Sequence, residues 1–255
     1  MFRNALGTIE VFQRGEENGG EMSSLYLLID LASISVPVIA SFHPKIGLSK
    51  HWPILWPAIL IAALPFILWD SFFTQIGVWG FTPKYLVGVY LLGLPIEEIL
   101  FFICIPYACI FTYYTFRVFL GLEYRIRAEN FVIWLFIVVS GISAIVFYDR
   151  AYTFSTSILL FFFLLYLKFS AKPKWLSLFL YSHMFLLIPF IVVNGILTGT
   201  GLDEPIVWYN DAENVGVRFL TIPVEDLFYG MLMLLLNTFL FEKLLARRAV
   251  IAQLS

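Results

Sequence analysis

The feature that most limits the fold is a series of seven apolar runs, each close to the 17–25 residues that an α-helix needs to cross a bilayer. They occupy 25–42, 53–73, 95–120, 131–148, 154–169, 175–197 and 219–241. In hydrocarbon the backbone polar groups must be satisfied inside each segment, so runs of this length predict helices. The chain therefore reads as an all-α polytopic membrane protein, with a single membrane domain over 24–248. The polar extension 1–23 precedes that domain, and Met22 sits just before the first run, so the 21 residues ahead of Met22 are expected to be dispensable. Composition excludes the other classes. The chain is 60% hydrophobic and 13% charged, whereas soluble domains carry about 25% charged residues. A net charge of −2 leaves no basic surplus for phosphate, so nucleic acid is not an expected partner. The lipid bilayer is.

Basic residues orient the seven spans. Arg3, Arg14, Lys84, Arg150 and Arg218 fall on the N-terminal side, whereas the other eleven Lys and Arg fall on the opposite side. Positive charge gathers in the cytoplasm, which predicts a cell-membrane protein with its N-terminus outside and its C-terminus inside. The acids do the reverse, with only Glu123, Glu129 and Glu242 on the cytoplasmic side. Six of them lie within spans at similar outer depth: Asp30, Asp70, Glu97, Glu98, Glu225 and Asp226. Acids inside spans are costly and mark functional sites.

The motifs come twice. Leu64–Asp70 reads L-P-F-I-L-W-D and Ile188–Asn194 reads I-P-F-I-V-V-N, so Asp70 is matched by the uncharged Asn194. Thirty residues after Pro65 comes Pro95-Ile96-Glu97-Glu98; thirty-four after Pro189 comes Pro223-Val224-Glu225-Asp226. This predicts two three-helix repeats, 24–120 and 154–245, joined by a linking helix at 131–148. An even number of spans separates the copies, so they are expected to run parallel, with both acid motifs at the outer side and facing each other.

Pro95 and Pro223 suit the first turn of a helix, and acids there complement the helix dipole. Helix capping alone would explain that much. Each motif doubles its acid, however, and helix neighbours point about 100° apart, so one acid of each pair can face a cavity. Residues 85–120 exceed one span, which predicts a break at Gly93-Leu94-Pro95. Glu97 and Glu225 are expected to be the more sensitive pair, because both halves keep Glu there. Aromatic side chains crowd the same level, among them Trp69, Phe73, Trp79, Phe101 and Phe228. Their ring faces attract cations. Cys104 and Cys109 lie five apart in one span and cannot bridge. No metal-ligand spacing and no G-x-G-x-x-G after a strand occur, so neither a metal nor a bound cofactor is expected.

Asp70-Ser71-Phe72-Phe73, Gly77-Val78-Trp79-Gly80-Phe81 and Leu94–Phe102 together resemble the membrane-embedded lycopene cyclase family. Pro223–Phe228 resembles the motif of that family's other half, so the likeness is to the fused form of the small two-subunit cyclases, related to the fungal cyclase domain. It spans roughly 24–245. The resemblance implies an isomerase (an intramolecular lyase) of carotenoid biosynthesis, which cyclises the ends of lycopene to β-rings without net redox change. It implies Glu97, Glu98, Glu225, Asp226 and Asp70 as the acid–base set and lycopene as the partner, together with contacts to other enzymes of that pathway. The alternative is a non-enzymatic membrane transporter or binder of a carotenoid or another lipid. A retinal-type protein would need a lysine within the last span, and Lys243 lies at its cytoplasmic end.

Overall fold

A computed structural model describes residues 24–254; the extension expected over 1–23 lies outside the described residues. Seven helices follow in order: α1 (Leu25–Ala40), α2 (Trp52–Gln75), α3 (Ile96–Leu120), α4 (Glu129–Val146), α5 (Ala151–Leu165), α6 (Leu176–Leu197) and α7 (Val224–Leu254). The protein is a mostly helical, multi-pass membrane protein, and six of its helices are long and apolar enough to cross a membrane. α5 runs on through a π-helical turn to Ala171, a span of 21 residues, whereas the helix of the first apolar run ends after 16. Large apolar side chains such as Ile39 (73% exposed) and Ile145 (76% exposed) point outward, the arrangement lipid favours.

α3 and α7 form the centre. α3 packs against α1, α2, α6 and α7, while α7 also packs against α2, α5 and α6, and α4 covers α5. Successive helices alternate in direction. The C-terminal ends of α2 and α6 therefore meet the N-terminal ends of α3 and α7, and the acids of α2, α3 and α7 gather at one end of the bundle beside Asn194 of α6.

Short strands complete that end. β1 (Trp79–Phe81) pairs antiparallel with β4 (Val207–Tyr209), with Trp79 opposite Tyr209, and so ties the α2–α3 loop to the α6–α7 loop. Gly80 sits opposite Trp208, and a Cβ built on it would lie 2.3 Å from that indole ring, so any larger residue would have to displace the ring. Two small hairpins precede the central helices. β2 (Tyr90–Leu91) and β3 (Leu94–Pro95) lead into α3, and β5 (Arg218–Phe219) and β6 (Ile222–Pro223) lead into α7. Leu92 and Leu220 turn the two hairpins with the same left-handed φ of 56°, a conformation strained for a branched side chain. The break expected near Gly93-Leu94-Pro95 is therefore a hairpin. Its counterpart moves the start of the last helix from 219 to Val224. Pro95 and Pro223 stand at the ends of the hairpins, one residue ahead of the helices instead of inside their first turns. Both cysteines are free.

Candidate functional site at the mouth of two central helices

Each hairpin is locked to the first acid of the helix it precedes. Glu97 Oε1 accepts the Val87 N–H at 2.6 Å, and Glu225 Oε1 accepts the Val215 N–H at 2.7 Å and the Thr153 hydroxyl at 2.6 Å. These equivalent bonds follow from one local pattern, since 87–98 and 215–226 both read V-G-V-x-x-L-x-x-P-x-E-acid. A carboxylate on the backbone N–H of an otherwise unpaired loop is a strong, charge-assisted bond. Glu97 and Glu225 thus hold loops in place, and both are buried away from the cavity described next.

The second acids, about 100° further round each helix, face inward. Glu98 accepts a hydrogen bond from the Tyr26 phenol at 2.5 Å. Asp70, from the last turns of α2, accepts the Trp79 indole N–H and, at 3.4 Å, the Thr74 hydroxyl. The carboxyls of Asp70 and Glu98 are neighbours in one cavity wall, and among the described residues Asp70 Oδ2 has no hydrogen-bond donor. In the other half, Asp226 accepts from Tyr152 at 2.6 Å, from the Asn194 amide at 2.7 Å and from Tyr209 at 3.1 Å. Asn194 thus stands toward Asp226 as Asp70 stands toward Glu98, an amide donor in place of a carboxyl. Burial pushes the phenol of Tyr209, in the loop above the spans, well above its usual range, and the neighbouring Asp226 adds to the rise. Tyr209 therefore stays a donor.

Both acid groups open on one cavity of about 330 Å³, lined by Asp70, Glu98, Asn194 and Asp226 at its β1–β4 end and mostly by apolar side chains elsewhere, with Ser33, Thr112 and His183 as the polar exceptions. Between the two groups stand the rings of Trp79, Tyr152, Tyr209 and Tyr229. Trp79 meets Tyr152 edge-on at 5.0 Å, and Tyr152 stacks on Tyr209 at 5.8 Å. Of the rings singled out from the sequence, Trp79 and Phe101 line the cavity. Trp69 and Phe73 stand behind it, packed on Tyr229 at 5.1 Å and on Trp79 at 5.0 Å. Phe228 turns away and packs on Phe136 of α4.

Tyr26, Tyr152 and Tyr209 escaped the sequence reading. Tyr26 and Tyr152 open α1 and α5 at equivalent points of the two halves, so aligning the copies from their first helices would have found them. Asp30 is fully buried in α1, outside the cavity, and neither of its carboxyl oxygens has a hydrogen-bond partner.

Fold and site together define the class, a helical membrane protein whose buried acids converge on a mostly apolar cavity. The chain belongs to the lycopene cyclase family, whose model, described as lycopene cyclase, matches residues 23–116 and 149–244. Each matched stretch contains one acid motif, so one chain carries both halves. That membership implies an enzyme catalysing cyclisation, with a carotenoid as substrate. A search of curated proteins and a search of solved structures each return no match.

Proposed function

We propose that this protein closes rings at the ends of lycopene by proton-initiated cyclisation, giving β-rings. A carboxyl proton adds to the terminal double bond, the tertiary cation is attacked by the next double bond, and a base removes a ring proton. Bonds and protons balance within the substrate and two carboxyls, so the reaction is an isomerisation, of intramolecular-lyase type. The observation that carries the reading is the opposition of two unlike acid groups across an aromatic box. Asp70 and Glu98, two carboxyls buried side by side in the cavity wall, are assigned together as the acid, since keeping both charged there is costly. Asp226 accepts three donors, an environment suited to a carboxylate, and keeps one of its four lone-pair sites for a leaving ring proton. The faces of Trp79, Tyr152, Tyr209 and Tyr229 stabilise the intervening cation. Trp69 and Phe73 fix the positions of those rings, and Phe101 forms the wall below.

In this reading Glu97 and Glu225 act through the hairpins they hold. The two halves are parallel three-helix repeats joined by α4, and the acid end lies at the outer face of the cell membrane. The chemistry assigned to these residues needs no flavin, nicotinamide or metal. The test is incubation of membranes with lycopene and product analysis. Ring-containing product formed without added cofactor supports the proposal. Uptake of lycopene with no ring formation favours the transporter reading, and a strict requirement for reduced flavin overturns the cofactor-free mechanism.

A further inference from the structure

α3 carries one stripe at helical spacing, Phe101, Ile105, Ala108, Cys109 and Thr112, that is neither packed away nor fully exposed. It lies on a central helix, where a buried stripe is expected. The cause is a gap: α3 packs against α1 on one side and α6 on the other, but α1 and α6 scarcely touch. Between them the cavity continues downward from the acids. Its walls include Ser33 and Pro37 of α1 and Leu186, Pro189 and Phe190 of α6. Pro189 is both cavity wall and exposed surface, which places the mouth at the α1–α6 seam. From Glu98 to Thr112 the cavity runs about 21 Å along α3 at 1.5 Å per residue. That is roughly two thirds of the hydrocarbon thickness, and 330 Å³ spread over such a depth is a slot one chain wide. The second half has no counterpart. Met233 and Asn237 of α7, which correspond to Ile105 and Cys109, are 3% and 1% exposed.

Resting on the cyclase reading of the acids, we infer that the α1–α6 seam is a lateral entrance through which a linear polyene slides end-first from the bilayer. The reacting end stops at the acids. The remaining chain lies along the α3 stripe, and the far end stays in lipid. No aqueous step is needed, and the substrate never leaves an apolar environment.

The test uses the full chain in membranes and two readouts, lycopene retained by the purified protein (visible absorbance) and ring formation. Ala108→Trp fills the slot about 15 Å below Glu98, clear of the acids, and Ser33→Trp narrows it from α1. Leu159→Trp puts the same bulk on the lipid face of α5, at the position corresponding to Ser33. Ala108→Trp and Ser33→Trp are expected to lower retention and kcat/KM roughly tenfold or more, with Leu159→Trp and thermal stability unchanged. Wild-type retention in both slot variants overturns the entrance, as does a wild-type protein that retains no lycopene. Retention by the wild type without ring formation, abolished by Ala108→Trp, overturns the cyclase reading and leaves the entrance standing.

Discussion

The two acids of each motif have separate duties because adjacent helix residues diverge by about 100°. In the proposed mechanism Glu98→Gln and Asp226→Asn remove an acid and a base, and each is expected to lower kcat by about 10²-fold or more while the melting temperature stays near that of the parent. Glu97→Ala and Glu225→Ala instead leave the Val87 and Val215 N–H groups unpaired, costing about 1–3 kcal/mol of stability, which thermal unfolding reads. Gln at either position keeps an acceptor and is expected to restore most of that loss. If Glu97→Gln abolishes turnover at unchanged stability, the clamp assignment fails. The paired acids themselves were legible because Pro, acids and an apolar run mark a helix start. Which member of the pair faced the cavity was not. That depends on the hairpins, whose strands of two residues give no periodic signal. Tyr209 was hidden for a related reason, since it reaches Asp226 from a separate loop and only tertiary packing unites the two.

Among the elements, the β1–β4 ribbon is where the two halves grip each other above the acids. Its close approach depends on Gly80. Gly80→Ala must push the Trp208 ring aside, and overpacking of this kind costs about 1–3 kcal/mol. Trp208 is 42% exposed and can swing outward, so the expected loss lies at the lower end of that range. Trp208→Ala is expected to rescue Gly80→Ala, a coupling that a double-mutant cycle of melting temperatures measures. Additive losses would show that the two residues do not share this contact. Six of the seven apolar runs correspond to helices long enough to cross the membrane, because length and hydropathy suffice to define them. The shortfall in α1 and the hairpin ahead of α7 were less legible, since Leu220 takes a left-handed φ without any glycine to announce it.

At the scale of the whole molecule, the far end of the bundle is fastened by Arg117 and Glu242, 3.1 Å apart, with the Tyr113 phenol donating to Glu242 at 2.7 Å. Glu242→Ala leaves Arg117 unpaired, and because Arg117 is partly exposed the expected loss is about 1–3 kcal/mol, below that of a fully buried pair. Turnover per folded molecule should be unaffected, which activity normalised to folded protein checks. The orientation proposed from the basic residues is tested by reporters. One fused after Ser255 should report cytoplasm and one in the 199–215 loop the outside; the reverse pair would put the acids on the inner face.

The slot has one further consequence. A duplicated chain with two acid motifs invites the idea of one motif for each end of a substrate whose ends are alike. Both motifs instead look into one narrow opening, so only a single terminus fits at a time. Under the proposed entrance, a molecule ringed at one end reaches the acids with its other end only by backing out into the lipid and turning around, in competition with fresh starting material. Time courses should therefore show the half-finished product rising first and falling later, with its peak growing as the lycopene supply increases.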